Sequence, residues 1–522
     1  MADADLNQSC TYADLIIQAI RRWPERTAMI DRREQVSYRE LGERISRTMQ
    51  CFAEHGLAKG DGIAQLSLNR VDAFVTVAAC YLSGIRYTPM HPLGSLDDHL
   101  YTIQDVQISH LVVDPDGFAE RGAEIVAAAA ELQGAFALGP ADFAVDLLAA
   151  RARHPAQPLA TAVGPDDILF IAHTGGTTGR PKGVVHLQRT MVANALICTA
   201  DWEWMPDPRL LVVAPISHAA GFMLVPCMLL GGTVILEPGF DAGAFIAAVE
   251  KHRATMTFLV PTMVYMVLDH PDLPGRDLSS LRTLMFGAAP MSPSRLKEGL
   301  ALLGPIFSQG YGSYEATTTV TVMRKGQHDV DQAHRFSSCG QVLTGIRLKI
   351  LDEDGNEVPT GQVGEICVRG PTVMAGYWNR PEETAAVFKH GWYHMGDMAR
   401  IDEDGYIYIV DRSKDMIISG GFNVYPREIE DVLTSHPAVS AAGVIGVPDE
   451  KWGEAVKAVV VRRPGVEIEE ADLIDLVKDK KGAVYAPKSV DFVDELPVTA
   501  LGKPDKKALR AAYWRDRERQ VN

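Results

Sequence analysis

The chain has 522 residues, too many for one ordinary core, which predicts at least two domains. Apolar residues make up 47% and charged residues 23%, the balance of a soluble globular protein. The formal net charge of −16 argues against a nucleic-acid partner, because phosphate neutralisation needs clustered Lys and Arg, although a local basic pocket could still hold a polyanion.

The N-terminal MADADLNQSC is polar and acidic, unlike a secretory signal, and the final RQVN is not a peroxisomal address. Cys10, Cys51, Cys80, Cys198, Cys227, Cys339 and Cys367 form no CxxC pair, so reduced thiols in a cytosol are expected rather than disulfides or a zinc site.

YRELGERISRTMQCFAEHG (38–56) has apolar positions at helical spacing and ends on glycine. GIAQLSLN then reads as a strand, VDAFVTVAACYLSG as a helix and ISHLVVD as a strand; this alternation predicts parallel sheets covered by helices. PDDILFIAH reads as a buried strand and VVHLQRTMVANAL as a helix. Residues 210–236 contain no Asp, Glu, Lys or Arg, but Pro215, His218, Pro226 and Gly231-Gly232 interrupt the run. A buried strand–turn–helix–strand is expected there, not a membrane span, because lipid penalises broken backbone.

From about residue 345 the pattern changes. RLKILDEDGNEVP and ARIDEDGYIYIVDR each carry an Asp-Gly turn between strand residues, predicting antiparallel hairpins and a β-rich part over 345–412. PREIEDVLTSH opens a helix on Pro426, with Ile429, Val432 and Leu433 on one face. VSAAGVIGVPD and AVKAVVVRR read as strands, and EADLIDLVKDKK as a helix with Leu473, Leu476 and Val477 aligned. The expected architecture is α/β: a large N-terminal domain over 1–412 and a small α+β C-terminal domain over 413–522.

HTGGTTGRPKG (173–183) holds four glycines, three threonines, Arg180 and Lys182. Glycines let backbone N–H groups crowd an anion, and the hydroxyls and cations add to the attraction. Its predicted setting, after a strand and before a helix, is the usual one for phosphate. It is not a Walker A loop, because Lys182-Gly183 is not followed by Ser or Thr.

TGGTTGRPKG resembles the phosphate loop of the adenylate-forming superfamily, which includes acyl-CoA synthetases, firefly luciferase and nonribosomal-peptide adenylation domains. FGAAP (286–290), QGYGSYEAT (309–317), YHMGD (393–397), DRSKDMIISGGFNVYPREIE (411–430) and PVTALGK (497–503) follow in the family's order. The resemblance implies a two-step reaction. A carboxylate attacks the α-phosphate of ATP to give acyl-AMP and pyrophosphate, and the thiol of coenzyme A then displaces AMP. It also implies ATP, Mg²⁺ and coenzyme A as the small molecules bound.

Residue by residue, the resemblance gives Thr174, Gly175, Gly176, Thr177, Thr178, Gly179 and Lys182 to the ATP phosphates. Glu315 would hold Mg²⁺, and Lys503 would bridge the carboxylate and the α-phosphate. Tyr311 would lie on the adenine, with Gly287, Ala288 and Ala289 at the ring edge, and Asp397 and Arg412 would take the ribose. Lys414 would be the hinge of a mobile C-terminal domain, with Gly420 and Gly421 letting the pantetheine arm pass. His218, Phe222, Gly312 and Tyr314 would border the acyl pocket.

The chain departs from the common pattern at Gly175 (often Ser), Tyr314 (often Thr) and Met395 (often Thr). Tyr314 replaces a small phosphate donor with a bulky phenol, which implies a changed α-phosphate contact or pocket size. The expected activity is an ATP-dependent carboxylic acid–CoA ligase acting on a medium/long-chain fatty acid or an aromatic acid. The alternatives are an acyl-AMP ligase that loads a carrier-protein phosphopantetheine and, more distantly, a non-catalytic ligand-binding relative. A cytoplasmic enzyme with no nucleic-acid partner and no membrane span is expected, and a homodimer is an allowed assembly.

Overall fold

The computed structural model describes residues 9–174, 181–317, 319–412, 415–419, 422–449, 452–463, 465–497 and 505–513. Two large sheets organise the N-terminal part. The first runs, in spatial order, Gln341–Val342, Thr321–Met323, Phe307–Tyr311, Thr283–Gly287, Met256–Leu259, Arg209–Val212, Thr233–Leu236, Thr27–Ile30 and Gln35–Ser37. The second runs Gly376–Tyr377, Gly183–Leu187, Ile168–His173, Arg86–Pro89, Gly62–Leu66, His110–Val113, Gly134–Ala137 and Val145–Asp146. The central strands of each are parallel, as the alternation predicts, with antiparallel pairs at the margins.

The helices follow from local chemistry. Tyr38–Glu54 starts where Ser37 and Glu40 cap each other's backbone N–H groups, and it buries Tyr38, Leu41, Ile45 and Phe52. Val71–Ser83 ends on Gly84, whose φ of 71° is the left-handed stop that a glycine adopts without penalty. The uncharged run forms strand Arg209–Val212, a 3₁₀ turn at Ala219–Met223, helix Leu224–Leu229 and strand Thr233–Leu236, as predicted. Among the described residues, no helix is long and apolar enough to cross a membrane.

Two local expectations change. VVHLQRTMVANAL is not one helix: Gly183–Leu187 is a strand, and the helix begins at Gln188. Val184 and Val185 are β-branched and buried, and they pair on one side with Ile168–His173 and on the other with Gly376–Tyr377. The glycine-rich loop therefore joins two antiparallel strands instead of a strand and a helix. The Asp354-Gly355 turn closes only a short return, with a single bridge between Leu351 and Glu357. Pro359, lacking an N–H, follows directly, and the longer partner of Arg347–Leu351 is Gly364–Arg369. The second predicted hairpin forms in full: Trp392–Ile401 pairs antiparallel with Ile407–Arg412.

Beyond these strands a separate sheet orders Phe422–Val424, Ile417–Ser419, Gly453–Arg462 and Val439–Asp449, with Ser489–Val493 parallel to Gly453–Arg462. Its own core includes Ile417, Ile429, Leu433, Val444, Val456 and Leu473. Helices Pro426–Thr434 and Glu470–Lys481 contribute to that core, while Leu509 of helix Lys506–Tyr513 packs on Ile445 and Val459.

Candidate active site

The expected nucleotide residues meet where parallel strands end. Thr283–Gly287 and Phe307–Tyr311 are neighbours, with Gly287 opposite Gly310. The crevice beyond the carboxyl ends of such strands is the usual binding position in α/β sheets. A side chain on Gly287 would place a Cβ 2.4 Å from the Gly310 carbonyl oxygen, so only glycine fits there. Ala288 then turns with φ of 65°, a conformation that non-glycine residues rarely hold. The backbone of Gly287, Ala288 and Ala289 thus leaves the sheet beside Tyr311.

The Tyr311 hydroxyl donates to Asp397 Oδ2 at 2.6 Å and lies 3.9 Å from Met395 Sδ. Burial, reinforced by the Asp397 charge, pushes the Tyr311 phenol well up, so it stays a donor. Asp397 pairs in register with Arg412 across two strands; the side chain of Arg412 lies outside the described residues.

Sequence reasoning missed Glu365. Its Oε1 accepts the Gly396 N–H at 2.9 Å, and its Oε2 lies 2.7 Å from His394 Nδ1. The carboxylate thereby grips the bulged strand segment just before Asp397 at two points. Cys367 Sγ lies 3.4 Å from the same His394 nitrogen, and the three residues offer donor atoms within 4.8 Å of one another, a spacing that could hold a metal ion. Burial pushes the Cys367 thiol up to about 12, which opposes the thiolate a metal needs. A hydrogen-bonded brace fits these residues better.

The expected phosphate loop is gathered at its base. The Thr174 N–H donates to the Lys182 carbonyl at 3.1 Å, and Tyr101 donates to the Pro181 carbonyl at 3.0 Å. Asp105 accepts from Arg380 at 2.6 Å and meets His173 Nε2 at 3.0 Å. Burial pulls the Asp105 carboxyl upward, yet His173 and Arg380 together hold it below the usual carboxylate range. Gly175, Gly176, Thr177, Thr178, Gly179 and Arg180 lie outside the described residues, as do Lys414, Gly420, Gly421 and Lys503.

Lys182 and Glu315 meet through one ring. Lys182 Nζ sits 5.0 Å from the centroid of Tyr377, and the Tyr377 hydroxyl donates to Glu315 Oε1 at 3.0 Å. Glu315 belongs to the 3₁₀ turn Tyr314–Ala316, and its carbonyl accepts the Met374 N–H at 2.7 Å. This sets a carboxylate, with hard oxygens suited to Mg²⁺, beside the neck of the expected phosphate loop.

Tyr314 serves the other side of that turn. It lines a narrow, mostly apolar cleft with a free volume of about 50 Å³. Its hydroxyl donates to the Ser217 carbonyl at 3.4 Å, and its ring meets His218 and Phe222 edge-on at 6.3 and 6.2 Å. The phenol is therefore part of the cleft wall. His218 and Phe222 also line the cleft, whereas Gly312, at the strand end beside Tyr311, does not. Burial, aided by His91 with its ring 4.5 Å away, pushes His218 down to about 3, so the imidazole is neutral at pH 7. Its Nδ1 lies 2.8 Å from Ser217 Oγ.

Below the turn, His186 Nε2 donates to the Tyr314 carbonyl at 2.6 Å. Burial pushes this imidazole down to about 4, so it too is neutral. Neither His186 nor the deeper cleft residues carry a sequence signal. They come from strands and helices far apart in the chain.

Residues 16–378 match the family model described as AMP-binding enzyme, and residues 428–503 match that of the AMP-binding enzyme C-terminal domain. The chain is 44% identical to a medium/long-chain-fatty-acid–CoA ligase of Mycobacterium tuberculosis, over 97% of this chain and 91% of the relative. It is 39% identical to a feruloyl-CoA synthase of an Amycolatopsis species, over 95% and 98% respectively. The solved structure of an amide bond synthetase from Marinactinospora thermotolerans superposes with a TM-score of 0.89 at 33% identity, covering 96% of this chain and 99% of that one. Motif order, strand-end geometry and these matches agree: the chain belongs to the AMP-binding enzymes of the adenylate-forming superfamily, among its acyl-CoA synthetases.

Proposed function

We propose that the protein is an ATP-dependent acid–CoA ligase acting on a medium/long-chain fatty acid or an aromatic acid. The observation that carries this reading is the single turn Tyr314–Ala316. Tyr314 walls an apolar cleft, and the next residue, Glu315, faces the neck of the phosphate loop. An acid whose tail fills the cleft holds its carboxylate at the place where ATP's phosphates converge.

A carboxylate oxygen attacks the α-phosphorus, the bond to the β-phosphate oxygen breaks, and pyrophosphate leaves. The sulfur of coenzyme A then attacks the acyl carbon, the bond to the AMP oxygen breaks, and the thiol proton is lost to solvent. Lys182 offsets charge on the departing pyrophosphate, and Lys503 offsets charge at the carboxylate and α-phosphate. Glu315 would hold Mg²⁺, which when bound neutralises phosphate oxygens. Asp397 accepts the ribose hydroxyls and Tyr311 orients it, supported by their 2.6 Å bond.

The C-terminal unit, 413–522, turns about Lys414 so that Lys503 serves the first step and Gly420-Gly421 the second. Its own sheet and core, and its separate family match, support this division. Seven free cysteines, six of them buried, support a reducing compartment such as the cytosol.

The test is AMP and pyrophosphate formation from ATP and Mg²⁺ across a panel of carboxylic acids, with and without coenzyme A. AMP release that requires both an acid and coenzyme A is expected. Pyrophosphate without coenzyme A-dependent turnover would reassign the acceptor to a carrier-protein thiol. Silence on every acid would overturn the reading.

A further inference from the structure

The acyl cleft leads inward along a row of phenols. Tyr87, on strand Arg86–Pro89, lines the cleft together with Tyr314. Tyr81, near the end of helix Val71–Ser83, meets Tyr87 edge to face at 6.0 Å. Tyr12, opening helix Tyr12–Arg22, meets Tyr81 in the same way at 5.8 Å. All three line the cleft, and Tyr12 and Tyr87 are only 3% and 5% exposed.

Several other enclosed phenols have partners: Tyr38 donates to the Gly232 carbonyl, Tyr311 to Asp397, Tyr377 to Glu315 and Tyr314 to the Ser217 carbonyl. Among the described residues, no hydrogen bond joins the hydroxyl of Tyr12, Tyr81 or Tyr87 to the protein. None of these oxygens is among the unpartnered atoms sealed from solvent, so each keeps an open surface, and the cleft is the space the three residues share.

A hydroxyl that opens onto an apolar cleft without a protein partner is left unpaired once a ligand fills the cleft, unless that ligand supplies an acceptor. Burial pushes all three phenols upward, so they remain protonated donors at neutral pH. No Asp, Glu, Lys or Arg lines the cleft, and its His218 is neutral, so the complementary group is an uncharged oxygen. Phe170, Phe222 and Tyr314 add aromatic walls to the cleft, packed on one another edge to face at 5.8 and 6.2 Å. A flat ring suits such walls.

We propose that the acid activated here is aromatic and carries an uncharged oxygen, as hydroxyl or methoxyl, at the end remote from its carboxyl, and that Tyr12, Tyr81 and Tyr87 select that oxygen. This rests on the acid–CoA ligase reading above and chooses between the two substrate classes it leaves open. A pocket whose polar groups await a substrate oxygen discriminates strongly against an analogue lacking it, because those groups then stay unpaired.

The experiment compares kcat/KM for 4-hydroxycinnamate, cinnamate and octanoate, by coenzyme A-dependent AMP release, in the wild type and in Tyr12→Phe, Tyr81→Phe and Tyr87→Phe. The wild type is expected to prefer 4-hydroxycinnamate to cinnamate by about 10-fold or more. At least one Phe variant should lower that ratio by about 3- to 10-fold, the worth of one neutral hydrogen bond. Thermal melting of each variant establishes that it is folded. Turnover of octanoate or cinnamate as good as that of 4-hydroxycinnamate would overturn the proposal while leaving the ligase intact. Phe variants that lower all three acids in proportion would also overturn it. Silence on every acid would remove the ligase reading and this proposal together.

Discussion

Glu365 accepts the backbone N–H of Gly396 at 2.9 Å, one residue before Asp397. Its other oxygen lies 2.7 Å from His394 Nδ1, so the strand segment leading to the proposed ribose acid is held at two points. Glu365→Ala should raise KM for ATP by about 10-fold, with a smaller change in KM for the acid. Glu365→Gln keeps an oxygen for Gly396, and its amide can face His394 once the imidazole proton moves to Nε2. Its KM for ATP should stay within about 3-fold of wild type. Steady-state kinetics with each substrate varied in turn checks this; an Ala variant with an unchanged KM for ATP would remove Glu365 from nucleotide positioning.

Lys503→Ala should lower acyl-AMP formation by about 10²- to 10³-fold, the range for losing one preorganised group at a developing charge. ATP affinity should change little, because the phosphate neck, Glu315 and Asp397 remain. Acid-dependent pyrophosphate exchange and direct nucleotide titration separate the two quantities. Normal adenylation in this variant contradicts the proposed role.

In the proposed site, Tyr314 stands between the acid and the phosphates. Because its phenol lies in the cleft wall against Ser217 and Phe222, Tyr314→Thr should widen the cleft and shift preference toward bulkier acids. KM for ATP should stay within about 2-fold, since the variant removes no interaction at Glu315 or Lys182. A large rise in KM for ATP without a change in acid preference would place the phenol at the α-phosphate instead.

His186 gives a pH signature. Its folded value, about 4, lies below the ordinary 6.5 because burial disfavours the imidazolium. The unfolded chain binds this proton more readily, so the contribution is fully present above 6.5 and is lost as pH falls toward 4. The loss is on the order of 3 kcal/mol for such a shift. His186→Gln keeps a donor for the Tyr314 carbonyl but cannot titrate. Its melting temperature should fall less steeply than that of wild type between pH 6.5 and 4. Parallel curves would show that His186 does not govern acid stability.

Much of the fold was legible because its signals are local. The helix Tyr38–Glu54, the hairpin around Asp404-Gly405 and the helix on Pro426 each follow from periodicity, turn chemistry and caps within one segment. Gly183–Leu187 was not, because a Val-Val pair beside a helical pattern is ambiguous, and two distant strands decide it. The site divides in the same way. Asp397, Tyr311 and Glu315 sit in motifs that can be read in order. Glu365 acts on residues about thirty positions away across a sheet, and the cleft tyrosines come from a helix start, a helix end and a strand.

The turn bearing Tyr314 and Glu315 is bolted from beneath by His186, at 2.6 Å from the Tyr314 carbonyl, and from the side by Met374, whose N–H donates to the Glu315 carbonyl at 2.7 Å. Two adjacent peptides are thus fixed independently of either side chain. Pressure from a differently shaped acid on residue 314 is borne by these bolts before it can tilt residue 315. Replacing the side chain at 314 is therefore expected to leave the backbone of Glu315 where it stands.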